Sequence, residues 1–304
     1  PEEVEVPLRA WADTLRDADR LRRAMARESA MDFLGKLGLR SPAGLIDAAL
    51  EAGEERAIQE APGLRLENPE PWPDPVDAED LLNDLGALIL RHVALPDGAV
   101  EAVALWCLHT YCYDFGDVTP RLFLSSPTPR CGKTTLLRLI AAASSRALPA
   151  SNVSAAVVYR AIEKYRPSLI LDEAETFMND DEGLRGVVNS GHSRAFAFVL
   201  RADGENLDPK PFSTWAPLAL AGIGKLPATI QDRSIIIPMK RREKGEDVER
   251  LRGASVESML GDWRRRALRW ARDHEDALRG ARPALPPGLD DRALDSWEPL
   301  LAIA

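Results

Sequence analysis

Apolar residues recur at helical spacing from Leu8 through Trp11, Ala12 and Leu15 to Leu21 and Met25, with Arg and Asp between them. A second such pattern runs through Phe33, Leu34 and Leu37. A third opens at Ser41-Pro42, a capping residue followed by proline at the first helical position, and continues through Leu45, Ile46 and Leu50. Together they predict a small helical region over residues 1–60. Residues 61–77 carry prolines at 62, 69, 71, 73 and 75 and little periodicity, which predicts an extended linker.

Helical periodicity resumes at Ala78 with Leu81, Leu82, Leu85, Leu88 and Ile89, and again through Val100, Val103, Ala104 and Leu108. The period then changes. Short apolar runs at residues 121–125, 169–171, 195–200, 218–223 and 235–237 are separated by helical patterns, one of them over residues 134–143. Strands alternating with helices predict an α/β unit over residues 78–240, built on a largely parallel sheet. An Asp-Gly turn signal at residues 203–204 predicts a β-hairpin there. Beyond Pro238 the chain reads as helical over residues 241–304, with Trp263, Ala267, Trp270, Ala271, His274 and Leu278 on one face of residues 261–278.

A length of 304 residues exceeds one minimal core, and 45% hydrophobic with 29% charged residues is the balance of a soluble globular protein. The formal charge of −9 argues against a surface that binds nucleic acid wholesale, so any such contact must be local. Cys107, Cys112 and Cys131 are odd in number and not at metal-ligand spacing. They predict reduced thiols in a cytoplasmic setting, with no disulfide and no structural zinc. His92, His109, His192 and His274 are scattered and predict core or surface roles. No stretch has the length and apolarity of a membrane span, and the N-terminus has no leader-like pattern, so no membrane partner is expected. The sequence begins without Met and stops at Leu301-Ala-Ile-Ala304, as expected of a piece of a longer polypeptide.

Candidate chemistry begins after the first apolar run. Pro127-Thr-Pro-Arg130-Cys131-Gly132-Lys133-Thr134 has the form of a P-loop, in which backbone N–H groups opening a helix cradle phosphates with help from the helix dipole. In that form Gly132 permits close backbone approach, Lys133 reaches the β- and γ-phosphates, the Thr134 hydroxyl ligates Mg²⁺, and Thr135 extends the helix start. Pro127 stands where the first glycine belongs, and its fixed φ must reach the turn differently. Downstream, Leu169-Ile-Leu-Asp172-Glu173 reads as a buried strand ending in two carboxylates. Asp172 suits the magnesium shell, and Glu173 the orientation and deprotonation of an attacking water. ATP and Mg²⁺ are therefore the expected ligands.

Other charged positions leave two readings open. Arg233, before residues 234–237, is either a finger reaching a neighbouring subunit's γ-phosphate or a local partner of Asp232. Arg201 and Lys210 in the hairpin either face a nucleic-acid backbone or are structural. Arg264, Arg265, Arg266, Arg269 and Arg272 either contact phosphate or form a solvated helix face.

Taken together, the motifs resemble the family DUF3631, found in mobile-element proteins beside primase modules. The resemblance rests on Ala104-Leu-Trp, His109-Thr-Tyr, Asp117-Val-Thr-Pro-Arg121-Leu, Ser126-Pro with Arg130-Cys-Gly-Lys-Thr-Thr135, Glu163-Lys-Tyr-Arg-Pro, Asp172-Glu-Ala, Leu184-Arg-Gly, Asn189-Ser-Gly-His192, Phe212-Ser-Thr-Trp-Ala-Pro217 and Leu226-Pro with Asp232-Arg-Ser234. The order of motifs is also similar to AAA+ ATPases of the superfamily 3 helicase kind. The resemblance implies a parallel sheet flanked by helices with a C-terminal helical lid, and an ATPase motor for DNA replication. It further implies a homo-oligomeric ring, such as a hexamer, on single-stranded DNA, with a primase module in the same or a partner chain. Where such proteins carry a polar sensor, this sequence reads Ala221-Gly-Ile-Gly-Lys225, leaving Lys225 as the nearest candidate. Arg292 is the candidate second sensor. The alternative is a nucleotide-dependent switch without translocation.

Overall fold

A computed structural model describes residues 7–8, 10–12, 14–15, 20–37, 42–50, 66–151, 153–178, 181–203, 208–243 and 245–304. The chain divides into two compact units, Pro1–Leu64 and Arg65–Ala304. In the first, a helix over Arg20–Lys36 and helical residues 42–50 are joined by a bidentate pair, Arg27 Nε to Asp47 Oδ1 at 2.8 Å and Arg27 Nη2 to Asp47 Oδ2 at 2.9 Å. Leu34 and Ile46 are buried there, as their spacing predicts. The expected helix cap at Ser41 and the whole stretch 51–65 lie outside the described residues.

The second unit opens with α1 (Ala78–His92) and α2 (Ala99–His109), and then alternates: β1 (Arg121–Ser126), α3 (Lys133–Ala143), β2 (Ala147–Ser151), α4 (Ala155–Tyr165), β3 (Ser168–Asp172), α5 (Glu175–Met178) and α6 (Glu182–Ser190). An antiparallel hairpin of β4 (Phe198–Asp203) and β5 (Asp208–Ser213) intervenes before β6 (Leu218–Ile223), α7 (Ala228–Gln231) and β7 (Ser234–Pro238). Helices α8 (Gly253–Asp273), α9 (Glu275–Gly280) and α10 (Asp291–Leu301) complete it. Five strands pair in parallel in the order β2-β3-β6-β1-β7.

Side-chain alternation explains why the strands read as continuous apolar runs. Leu122, Leu124, Ile170, Ala219, Ala221, Ile235 and Ile237 pack on one face of the sheet, with residues of α1, α2, α3, α8 and α10. Phe123, Leu169, Leu171, Leu218 and Leu220 pack on the other, with α4 and α6. A parallel sheet covered on both faces has no solvent side to make polar. Burying each of Leu122, Phe123 and Leu124 stabilises the fold by roughly 1.5–3 kcal/mol.

Four expectations change. The strand β2, at the sheet edge, has no strong apolar run, and its Pro149 is tolerated because an edge strand has one side without ladder bonds. The run 195–200 is shorter as a strand than it reads: Arg194–Phe196 form a 3-10 turn and the strand starts at Phe198, as β4 of the hairpin that the Asp-Gly signal predicts. The helix expected over 261–278 breaks at His274, whose ring stacks on Trp270 at 4.8 Å and whose Nδ1 lies 2.8 Å from the Trp270 carbonyl. The described part of the linker, residues 66–77, is a strap tied to the body of the unit. Trp72 N donates to the Arg265 carbonyl at 3.0 Å, and Arg265 lies over the Trp72 ring while its Nε bonds the Glu70 carbonyl. Arg269 donates to the carbonyls of Trp72 and Pro73, and Arg266 pairs with Asp84 at 2.6 Å. Of the arginines on α8, these are therefore committed to the chain's own backbone and carboxylates.

Among the described residues no helix is long and apolar enough to cross a membrane. All three cysteines are buried free thiols, and burial pushes the Cys112 thiol up to about 12.

Candidate functional site

The C-terminal ends of β1, β3 and β6 converge on one edge of the sheet, the place where open α/β sheets bind ligands. After β1 the chain turns through left-handed backbone at Arg130 (φ 65°) and Gly132 (φ 83°). The positive-φ demand thus falls late in the loop rather than at Pro127, and this is why proline is accommodated at that position. Cys131 points inward, its thiol donating to the Thr128 carbonyl at 3.1 Å. From beyond β7, Arg241 Nε donates to the Pro129 carbonyl at 3.2 Å and clasps the loop from outside.

Helix α3 starts at Lys133 without a side-chain cap, because its cap residue is Gly132. Its first N–H groups are left for a ligand, with the positive end of the helix behind them. Lys133 Nζ is held by Ser126 Oγ at 2.5 Å, and that hydroxyl donates to the Thr128 carbonyl at 2.9 Å. Thr134 Oγ1 donates to Asp172 Oδ2 at 3.1 Å, so the helix start and the end of β3 meet directly. Asp172 Oδ1 accepts the Glu173 N–H at 2.9 Å, and Glu173 adopts φ 55°, a left-handed turn that is costly outside glycine.

These groups line a cavity of about 370 Å³ with Pro129, Arg130, Cys131, Gly132, Lys133, Thr134, Thr135, Asp172, Glu173, Glu175 and Ile223. Among the described residues no three His, Cys, Asp or Glu side chains cluster as metal ligands. A single carboxylate beside a hydroxyl is nonetheless a donor set that suits Mg²⁺, which keeps most of its waters. The sequence gives no site role to Ser126, Glu175, Ile223 and Arg241, which the structure brings to the loop. Only Glu175, two residues beyond Glu173, carried a signal that a wider acidic motif would have caught.

Several candidates lie elsewhere. Lys225 is exposed in the turn after β6 and does not line the cavity, although the Gly224 N–H of the same turn is tied to the Ser126 carbonyl at 2.9 Å. Arg201 and Lys210 are directly opposed in the hairpin register, with their cations over the rings of Tyr159 and Phe212 at 5.5 and 5.1 Å. They thus sit on the face turned to α4. The hairpin tip, residues 204–207, lies outside the described residues.

Arg233 and Arg292 belong to the opposite edge of the sheet. The Arg233 carbonyl accepts the Arg121 N–H at 3.0 Å at the very start of β7, and its Nη1 donates to the Thr229 carbonyl at 2.7 Å. Burial and the nearby Arg292 lower the Arg233 pKa. Arg292 pairs with Asp232 at 3.1 Å, so it is not brought to the cavity of its own chain. A five-residue strand, about 17 Å, separates these groups from the loop edge.

The same edge holds a buried polar cluster. Arg121, 1% exposed, donates to the carbonyls of Val188 and Ala216 at 2.8 Å, and burial lowers its pKa to about 9. Gly191 is required beside it, since a methyl group there would come within 2.0 Å of the Thr214 carbonyl oxygen. His192 bonds Ser296 of α10 at 3.2 Å, and His109 bonds Thr119 at 3.1 Å.

The family described as "Protein of unknown function (DUF3631)" matches this chain over residues 238–304, from the end of β7 through α10. The matched stretch contains Arg241 and Arg292 but none of the loop, Asp172 or Glu173. No curated protein matches the chain.

Proposed function

We propose that the cavity binds ATP with Mg²⁺ and hydrolyses it, as a P-loop ATPase. The observation that carries this reading is the meeting of an uncapped helix start, Lys133 and Thr134 with Asp172 on the C-terminal edge of a parallel sheet. In it the backbone from Arg130 to Thr135 and the Lys133 ammonium hold the phosphates. Thr134 and Asp172 would hold Mg²⁺, which when bound neutralises phosphate charge. Glu173 orients and deprotonates the attacking water. Lys133→Ala is expected to lower ATP hydrolysis by at least a hundredfold and to weaken ATP binding; hydrolysis at the wild-type rate would sink the assignment.

We propose further that the protein works as a ring-forming motor on single-stranded DNA in the cytoplasm, within a primase-helicase-like replication protein of a mobile element. In support, Arg233 lies a strand's length from its own cavity, out of reach of a phosphate held there. Arg233→Ala should bind ATP normally yet lose turnover, and wild-type turnover per chain should rise with protein concentration. Normal turnover by the variant, or turnover independent of concentration, removes the finger. A nucleotide-dependent switch without translocation is the second reading. It is favoured by the −9 charge and by the engagement of Arg201 and Lys210 with aromatic rings. Strand displacement on forked DNA, compared with ATPase stimulated by single strands alone, separates the two.

A further inference from the structure

We infer that a cavity at the base of the hairpin is a second ligand site, which takes a phosphomonoester of nucleotide size. It shares no residue with the loop cavity, and the inference stands apart from the ATP-hydrolysing reading.

The cavity encloses about 390 Å³, within the range of small-molecule sites, and lies where chain segments enter the sheet. Tyr113 and Asp114 come from a 3-10 turn (Tyr113–Phe115) ahead of β1, Glu163 and Arg166 from the end of α4, and Ser213 and Trp215 from the passage between β5 and β6. One wall is fixed. Asp114 Oδ1 accepts the Trp215 indole N–H at 2.9 Å and Arg194 Nη2 at 3.1 Å, and the Arg194 guanidinium lies over the Trp215 ring at 4.8 Å. The charges of Asp114 and Arg194 thereby offset each other.

Two donors remain. Tyr113 is 9% exposed, yet its hydroxyl has no hydrogen-bond partner among the described residues and is open to water. Arg166 caps α4 in left-handed backbone (φ 47°), and its exposed guanidinium likewise has no partner among the described residues. Burial and then Asp114 push the Tyr113 phenol up to about 12, against the guanidiniums of Arg146, Arg166 and Arg194, so it is a donor at neutral pH. Arg146 bonds the neutral carbonyls of Leu66 and Tyr165, so with Arg194 offset the charge around that hydroxyl is net positive. Carbonyls at the end of α4 would oppose an anion, but Arg146 covers that of Tyr165 and the Arg166 N–H bonds that of Ile162 at 2.9 Å.

An oxyanion satisfies both donors, with one oxygen on the Tyr113 hydroxyl and others on the Arg166 fork. A bare phosphate leaves most of the volume empty. Glu163, which is not among the charges acting on the Tyr113 hydroxyl, holds the Ser213 N–H on Oε2 at 2.8 Å and keeps lone pairs for a further donor. A nucleotide carries both halves: a phosphate, and a sugar hydroxyl or base N–H to meet Glu163. It arrives either as a free nucleoside monophosphate or as the phosphorylated end of a strand.

The test is calorimetric titration of wild type, Tyr113→Phe, Arg166→Gln and Lys133→Ala, with melting temperatures measured alongside. The probes are the four deoxynucleoside 5′-monophosphates, their nucleosides, inorganic phosphate, and oligothymidylate with and without a 5′-phosphate. At least one monophosphate or the phosphorylated strand should bind with a Kd below about 1 mM, and Lys133→Ala should change that by less than about twofold. Tyr113→Phe should weaken it about tenfold and Arg166→Gln about thirtyfold, with both melting within about 3 °C of wild type. The nucleosides and inorganic phosphate should each bind at least about tenfold more weakly. Binding of a monophosphate identifies a free nucleotide as the source, and binding of the phosphorylated strand alone identifies a strand end. The inference is overturned if no phosphate-bearing probe binds Lys133→Ala, if Tyr113→Phe and Arg166→Gln bind as wild type does, or if a nucleoside or inorganic phosphate binds as tightly as the nucleotide.

Discussion

At the edge where β1, β3 and β6 end, the charged groups stand in an open cavity: Lys133 is held by Ser126 and Asp172 by Thr134, and with Glu173 they line space rather than protein. At the edge where the same strands begin, charge is packed away. Arg121 is enclosed by carbonyls, His109 and His192 are buried on hydroxyl partners, and Arg233 and Arg292 crowd the rim. One edge leaves donors and acceptors for something absent from the chain, whereas the other satisfies nearly all of them internally. The first arrangement is that of a ligand site and the second that of a structural anchor, from which only the outermost arginines project.

The sharpest way to break this contrast is to remove a charge from each edge. Arg121→Met leaves the Val188 and Ala216 carbonyls buried without a donor, at about 1–3 kcal/mol each, offset in part by relief from burying a cation. A net loss of roughly 2–3 kcal/mol in urea unfolding is expected. Lys133→Ala, in contrast, should change stability by less than about 1 kcal/mol, because an open cavity gains little from its lysine. An Arg121→Met protein as stable as wild type would mean that the anchor is not one.

The pH dependence of stability sharpens the same point. Burial, with Arg121, Arg233 and Arg292 nearby, lowers His192 to about 3, and burial with Arg121 lowers His109 to about 3. Below the ordinary histidine value near 6.5 the unfolded chain takes up protons that the folded chain refuses. Stability contributed by neutral His192 and His109 is therefore complete above pH 6.5 and is lost as pH falls toward 3, at about 1.4 kcal/mol per pH unit for each ring. His192→Gln keeps a partner for Ser296 but does not titrate. It should reduce the slope between pH 6 and 4 by about that amount in urea unfolding series, with carboxylate titration common to both proteins. An unchanged slope would place His192 in contact with solvent.

The loop edge was largely legible in the sequence, and the anchor edge was not. Lys133, Thr134 and Asp172 follow apolar runs that can only be buried strands, so their convergence follows from parallel pairing alone. Strand β2 is not evident because a five-residue edge strand needs little hydrophobicity, nor is the 3-10 turn at residues 194–196, because an apolar run does not show where its strand starts. Glu175 comes against Gly222 only because β6 lies beside β3, a proximity that no spacing in the sequence announces. Arg121 reads as a surface residue until its carbonyl partners, 67 and 95 positions away, are brought to it. The resemblance makes Arg292 a candidate second sensor, whereas strand order and the Asp232 pair set it on the far edge.

The smallest expected effect on stability belongs to that last pair, and it is the most discriminating for the rim. Arg292 and Asp232 are each about half exposed, at 54% and 52%, and a pair so hydrated contributes at most about 0.5 kcal/mol. Arg292→Ala should therefore unfold within about 0.5 kcal/mol of wild type. Arg292 also lowers the pKa of Arg233, so its removal relieves repulsion at the neighbouring guanidinium and leaves Asp232 free to draw Arg233 inward. If the rim arginines serve a neighbouring copy, turnover should fall while ATP binding holds, and most at low protein concentration, where assembly limits the rate. Loss of stability beyond 1 kcal/mol would instead extend the anchor to the rim and leave no charged group there to spare for a partner.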